Sequence, residues 1–230
     1  MRTSTRAKEF GPEIMFAKTL GASRPDRDVY LIKYHASGQP LHHGWHDQEF
    51  LGGEPAPNRR NFYPGEGADD ANMGTLYRDL RTTFRDGLEV LRQREVEFKV
   101  RGFVWMQGEQ DAKHAVSAIS YAAGLKRLKR RLEEDLGVSR LPFVFGQVLP
   151  HESALPRFTH RKEIRESQRR ADESSGHAEA IQGVRMVSTD GFPLKADTVH
   201  YNAAGQAKLG RAFAEAILML QSVAKDETAR

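Results

Sequence analysis

The chain has 230 residues, 39% of them hydrophobic and 29% charged, which suits one domain with a sizeable core. It holds no cysteine, which excludes disulfides, thiolate metal sites and a cysteine nucleophile. Lys and Arg number 35 against 31 Asp and Glu, a net charge of +4, so the basic excess reads as solvated surface and no nucleic-acid partner is expected.

The opening stretch, Met1 to Phe10, is polar and basic and has no apolar core of a signal peptide. As written, the chain is expected in the cytoplasm; a longer natural N-terminus would allow export. No apolar run reaches about 18 residues, so no membrane-spanning helix is expected. Glu13–Leu20 reads as a short helix behind Pro12, a residue suited to a first helical turn. Val29–Tyr34 reads as a buried strand from its β-branched and aromatic content. The polar segment His35–Asn72 follows, rich in Gly, Pro, His and Asn, and a loop longer than about 15 residues is more often functional or disordered than idle.

Met73–Arg94 places Leu76, Leu80, Phe84, Leu88 and Leu91 three and four apart, the period of a helix face. Phe98–Met106 is the next strand. Ala115–Leu136 repeats the helical pattern with Tyr121, Leu125, Leu128 and Leu132. Within it, Lys126, Arg127, Lys129, Arg130 and Arg131 precede Glu133, Glu134 and Asp135, which reads as a charged helix face with pairs one turn apart. Leu141–Val148 is a third strand, Thr159–Glu173 a strongly polar outer helix, and Val184–Ser188 a fourth strand. Ala203–Val223 closes the chain as a helix with Leu209, Phe213, Ile217 and Leu220 inward, and Lys225–Arg230 reads as a frayed tail.

Strands alternating with helices of this length imply βαβ units and a parallel sheet, an α/β chain in one domain over residues 1–230. Such sheets take their ligands beyond the carboxyl ends of the strands. Three constellations fall there. Asp197-Thr198-Val199-His200, followed by Tyr201-Asn202 and a helix, can hydrogen-bond an acid to one imidazole nitrogen and leave the other as a general base. The competing reading is an Asp capping a turn beside a surface His. Trp105-Met106-Gln107-Gly108-Glu109-Gln110-Asp111 ends a strand in a polar turn, where Gln107 can donate to an oxyanion and Glu109 and Asp111 add carboxylates. Tyr34-His35-Ala36-Ser37-Gly38-Gln39-Pro40 runs a strand into a loop whose backbone N–H groups can face an anion.

These blocks, in this order and together with Phe10-Gly11-Pro12-Glu13, resemble the sialate O-acetylesterase and acetylxylan esterase group of the SGNH-hydrolase superfamily (carbohydrate esterase family 6 and relatives). The resemblance runs from about Phe10 to Ile217. It implies a flavodoxin-like sandwich, hydrolysis of acetyl esters on carbohydrates, no cofactor and no metal. Carried over residue by residue, His200 is the general base and Asp197 its orienting acid. Gln107 is the side-chain oxyanion donor, Gly38 the loop glycine whose N–H assists, and Glu109 lies near the site.

Two features depart from that pattern. The family opens on a strand ending in Gly-Gln-Ser-Asn or similar, whose Ser is the nucleophile, and no such block stands before Gly11. In the strand order that the resemblance implies, 2-1-3-4-5, this missing strand is central. The loop also reads Ser37-Gly38-Gln39-Pro40 where the family shows two glycines. Two readings stay open: an acetylesterase whose serine lies outside this chain, or a non-catalytic glycan-binding or interaction protein on an altered esterase fold. His42, His43 and His46 around Trp45 admit a metal set or the polar rim of a substrate cleft. Trp45 and Tyr63 admit stacking on a sugar or simple loop packing.

Overall fold

A computed structural model of the protein describes residues 10–152 and 155–228, with side chains of the last helix described as far as residue 222. Its element order is α1 (Glu13–Ser23), β1 (Trp45–His46), β2 (Glu49–Phe50), α2 (Thr75–Gln93), β3 (Phe103–Trp105), α3 (Ala115–Ile119), α4 (Tyr121–Leu136), β4 (Phe143–Gly146), α5 (Arg161–Ala171), β5 (Val184–Val187) and α6 (Ala203–Thr228). Short 3-10 turns at Asp111–Lys113 and Glu173–Ser175 complete it.

The main sheet is parallel, in the order β3-β4-β5. Phe103, Val104 and Trp105 stand opposite Phe143, Val144 and Phe145, and Phe143–Gly146 opposite Val184–Val187. Side chains alternate across a strand, so this register sorts the core into two layers. Phe103, Trp105, Phe143, Phe145 and Val184 pack with Leu76, Tyr77 and Leu80 of α2 and Tyr121, Leu125, Leu128 and Leu132 of α4. Val144 and Val187 pack instead with Leu209, Phe213, Ile217 and Leu220 of α6, and Phe16 of α1 lies against the same cluster. The result is the α/β sandwich expected, with every apolar position named for α4 and α6 buried. No described helix is long and apolar enough to cross a membrane.

Several boundaries differ from the sequence reading. Val29–Tyr34 belongs to no strand of the structure, and Val29 and Tyr30 are exposed. Its β-rich residues favour a pleat, yet a strand exists only where a neighbour completes its ladder. Ile32 of that segment lies under Gly87 of α2, where a methyl group would meet its Cδ1 at 2.7 Å. The helix expected over Ala115–Leu136 breaks at Ser120 into α3 and α4. Gly137 ends α4 in the left-handed conformation (φ +63°), and the Val138 N–H returns to the Glu133 carbonyl, a C-terminal cap. The tail expected to fray from Lys225 continues α6 to Thr228. The hairpin β1–β2, not expected from the sequence, turns through Asp47 at φ +54°.

The basic run of α4 is not all outer surface. Lys129 is buried beside Glu133, and Arg131 is 1% exposed. Arg131 pairs with Glu134 and, at 2.9 Å, with Asp135, which also accepts the Tyr77 hydroxyl at 2.8 Å. Its Nε also donates to the Pro64 carbonyl, so the charge is matched inside and the long polar loop is tied to α4. The polar helix α5 also has an inward face, with Ile164, Ser167, Gln168 and Ala171 buried. There Ser167 accepts the Ala122 N–H, and Gln168 accepts the Val148 N–H beyond the end of β4.

Candidate functional site

All three parallel strands release their chains at one edge, so residues 106–111, 147–150 and 188–202 gather there. Arg165 of α5 binds that edge together. It donates to the Val148 carbonyl at 2.8 Å and forks onto both carboxylate oxygens of Asp190 at 2.7 and 2.9 Å. The Thr189 hydroxyl adds a bond to the Gln147 carbonyl at 2.6 Å.

The loop before α6 carries the acid and the imidazole. A bridge between Leu194 and Tyr201 closes its base, and the Lys195 N–H donates to the His200 carbonyl. Asn202 caps α6 by accepting the Gly205 N–H at 3.0 Å. Gly205 is required by contact: a methyl group there would stand 2.1 Å from the Pro193 carbonyl oxygen. Within this frame Asp197 Oδ1 accepts the N–H groups of Val199 and His200, while Oδ2 lies 2.7 Å from His200 Nδ1. Burial pushes the Asp197 carboxyl up, but the two backbone donors and the imidazole outweigh it and hold it at about 2. An ionised acceptor on Nδ1 fixes the tautomer, so the lone pair of Nε2 faces outward. His200 itself is exposed, and among the described residues its Nε2 makes no hydrogen bond to the protein.

Glu109 stands on the turn after β3, at the same edge of the sheet. Its carboxyl is half-buried, and burial pushes it up, against the pull of its own N–H, the nearby His200 imidazole and the Gly108 N–H. The β3 turn and the α6 loop both lie at the carboxyl edge of the parallel sheet, and the His200 imidazole pulls the Glu109 carboxyl down. Gly108 permits the turn with φ +147°.

Gln107 is buried and clamped on both ends of its amide. Its Oε1 faces the Tyr121 hydroxyl at 3.0 Å, and its Nε2 donates to the Gln39 carbonyl at 2.9 Å and to Asp111 Oδ2 at 2.7 Å. An amide nitrogen has two hydrogens, so two protein acceptors match its capacity. Gly38, next to Gln39, is thereby carried to Gln107; it is exposed, in the left-handed region at φ +64°, and its carbonyl accepts Gln48 Nε2. The structure therefore brings the Gly38–Gln39 loop to Gln107 on the turn after β3, and the acid–imidazole pair to the same edge of the sheet.

Asp111 was read only as a rim carboxylate and is instead 0% exposed. Besides Gln107 it accepts the N–H groups of Leu41 and His42 at 2.8 and 3.1 Å, which stitches the long loop to the end of β3. Burial pushes its carboxyl up to about 6, more than these donors pull it down. The sign of the linkage follows. A folded carboxyl raised above its ordinary 3.8 contributes stability that is full below about pH 3.8 and lost as pH rises through about 6. We expect the stability of the native chain relative to Asp111→Asn to fall by roughly 3 kcal/mol across that window. Urea denaturation of both at several pH values between about 4 and 7 measures it, and parallel pH curves would contradict the assignment.

For the aromatic and imidazole cluster the structure favours packing. Trp45 is 4% exposed and packs edge-on against Phe50 at 5.1 Å, so it is loop packing, with no face left for a sugar. Among the described residues no group of three or more His, Asp or Glu is placed to hold a metal ion. His42 and His43 instead stack on each other at 4.1 Å and line a pocket of about 200 Å³ with Leu41, Tyr63, Asp111 and Arg127. That pocket is separate from His200 and Asp197, which do not line it.

A parallel α/β sandwich with an acid–imidazole pair and two further carboxylates at its carboxyl edge has the build of a hydrolase. The family model for carbohydrate esterases described as sialic acid-specific acetylesterase matches residues 1–219. The chain belongs to that carbohydrate esterase family, and an acetylesterase-type role goes with it. In fold it is similar to a protein from Arabidopsis thaliana solved by X-ray crystallography, with a TM-score of 0.65 and 20% identity over 94% of this chain and 72% of that one. No curated protein matches the chain in sequence.

Proposed function

We propose an esterase that hydrolyses O-acetyl esters on sugars by a Ser-His-Asp scheme, with His200 as the general base, Asp197 as the acid that orients it, and a serine that no described residue supplies as the nucleophile. The observation that carries this reading is the 2.7 Å contact from Asp197 Oδ2 to His200 Nδ1, with Nε2 free of any hydrogen bond to the protein among the described residues. His200 Nε2 takes the proton of an attacking serine hydroxyl as that oxygen bonds to the acetyl carbonyl carbon. Negative charge then grows on the carbonyl oxygen. The Gly38 N–H and the Gln107 amide are its donors, and Gln107 must exchange the Gln39 carbonyl for that oxygen. His200 returns the proton to the sugar oxygen as the C–O bond breaks, and water repeats the cycle on the acetyl-enzyme. No cofactor enters these steps.

The domain is read as one SGNH-type unit over residues 1–230. The family description favours an acetylated sialic acid over acetylated xylan as substrate. A second reading, a glycan-binding protein without turnover, is favoured by one observation. Among the described residues no serine hydroxyl hydrogen-bonds to His200, so the nucleophile has no assigned residue. Acetate release from O-acetylated N-acetylneuraminate and from acetylated xylan, by the native chain and by His200→Ala, tests the proposal. Release by the native chain alone supports it; equal release by both removes His200 as the base, and none by either sides with the second reading.

A further inference from the structure

The two edges of the main sheet are finished differently. In β5 the N–H groups that face away from β4 have acceptors. Val184 donates to the Ile181 carbonyl, and Met186 to Asp172 Oδ2 at 2.6 Å. In β3 the Phe103 N–H is turned to β4, where it meets the Pro142 carbonyl at 2.8 Å. Backbone groups alternate in direction along a strand, so those of Gly102, Val104 and Met106 face the other way. Among the described residues the backbone of Val104 has no partner on that side.

Residues 28–34 run beyond this edge, in the layer of the sheet. Ile32 lies under Gly87 of α2, while its neighbour Lys33 reaches Glu13 of α1 at 3.0 Å. The segment thus stands between the same two helix layers as β3, on which α2 packs through Phe84 and Phe103 and α1 sets Phe16 beside Val104. Yet no backbone hydrogen bond joins residues 28–36 to β3 among the described residues. Laddered strands stand about 4.8 Å apart, so a segment of the same layer without a ladder stands further off. The apolar side chains around this space are short of cover on both faces. Tyr34, Phe84 and Val100 are only partly buried against one core layer, Phe16 and Val104 against the other, and Met106 against both. Val29 and Tyr30 are 36% and 49% exposed.

We propose that the space between β3 and residues 28–34 is a slot for one added strand, supplied by an uncharged apolar segment of another polypeptide. The chemistry of that segment follows from the walls. Helix layers lie over both faces, so both alternating sets of its side chains are buried, and it reads as a continuous Val and Ile run. Main-chain bonds to the β3 edge give it affinity, and the two apolar walls select its side chains. Residues 28–34, held to α2 and to α1, close the outer side. A single strand fits behind them, whereas the sheet edge of a second folded copy is kept from β3. The opening residues Met1 to Glu9 are polar and basic and lack the required character. This interaction is independent of the ester chemistry.

Fluorescence anisotropy with a labelled peptide, Lys-Lys-Val-Ile-Val-Ile-Val-Gly, tests the proposal, beside the alternating peptide Lys-Lys-Val-Ser-Val-Ser-Val-Gly. The apolar peptide should bind the native chain about tenfold or more tightly, since only it covers both faces. Hydrogen exchange followed by NMR should show the Val104 amide gaining about tenfold or more protection on binding, with the Trp105 amide, turned to β4, unchanged. Val104→Pro removes the outward donor and leaves the β4 ladder whole, so it should lose the peptide and keep its fold in a melting curve. If that variant unfolds, the exchange result on the native chain decides. Equal binding of the two peptides, no binding of either, or binding unaltered in Val104→Pro would each overturn the slot. So would a Val104 amide already protected in the native chain alone, whether by its own residues or by a second copy.

Discussion

Asp197→Asn is expected to lower the turnover of acetyl esters about 10⁴-fold, the scale of loss when the acid of a Ser-His-Asp triad is amidated. The argument is one of tautomers. Asp197 Oδ1 is committed to two backbone N–H groups, and Oδ2 accepts from His200 Nδ1. An Asn that keeps the backbone bonds turns its NH₂ toward Nδ1. The imidazole then places its lone pair on Nδ1 and its hydrogen on Nε2, and the base faces away from the ester. Because the native carboxyl is held at about 2, it is ionised throughout any ordinary assay range and keeps the pair in this tautomer at every assay pH. His200→Ala should lose as much, and the double variant little more, since the two residues act as a unit. Steady-state kinetics of the three proteins, with melting curves to show intact folds, measures this. An Asp197→Asn protein within about tenfold of native turnover would remove the pair from the mechanism.

Arg131→Met is expected to cost about 3–5 kcal/mol of stability, because it strips one partner from a buried charge network. Arg131 is 1% exposed and meets Glu134, Asp135 and the Pro64 carbonyl. Without it, Asp135, itself 10% exposed, keeps among the described residues the Tyr77 hydroxyl and a 3.9 Å approach from Arg81. The exposed pair Arg92–Glu89 is the control, and Arg92→Met should cost under about 1 kcal/mol. Urea denaturation midpoints of the two variants separate the cases. A loss under about 1 kcal/mol for Arg131→Met would show that the network contributes nothing beyond a surface pair.

Much of the sandwich was legible because its helices keep one apolar stripe. Leu209, Phe213, Ile217 and Leu220 recur at helical spacing, and all four are buried in α6. The strand cores Phe103–Trp105, Phe143–Gly146 and Val184–Val187 stood inside the expected runs for the same reason. Val29–Tyr34 did not follow, since strand content is a property of a pair of segments and composition describes only one of them. Arg131 and Lys129 were placed outside by their charge, although paired acids one turn on allow such groups to be buried. At the site, the spacing of Asp197 and His200 showed their contact, because three residues in a turn leave few other geometries. Asp111 gave no such sign: its partners Leu41 and His42 lie some seventy positions away and offer backbone, which carries no side-chain signature. The pocket around Arg127 was hidden likewise, being built from two segments that meet only in the folded chain.

The last helix closes one familiar route to a hardier enzyme. Replacing helix glycines with alanine usually stiffens the unfolded chain to advantage. At Gly205 the added carbon would strike the Pro193 carbonyl, and at Gly210 it would come within 2.2 Å of the Pro12 carbonyl of the neighbouring helix start. One collision would shift the loop that presents the imidazole, and the other would part α6 from α1. Efforts to raise the heat tolerance of this protein therefore belong elsewhere, at positions such as Gly21 of α1, where the space around the missing side chain is open.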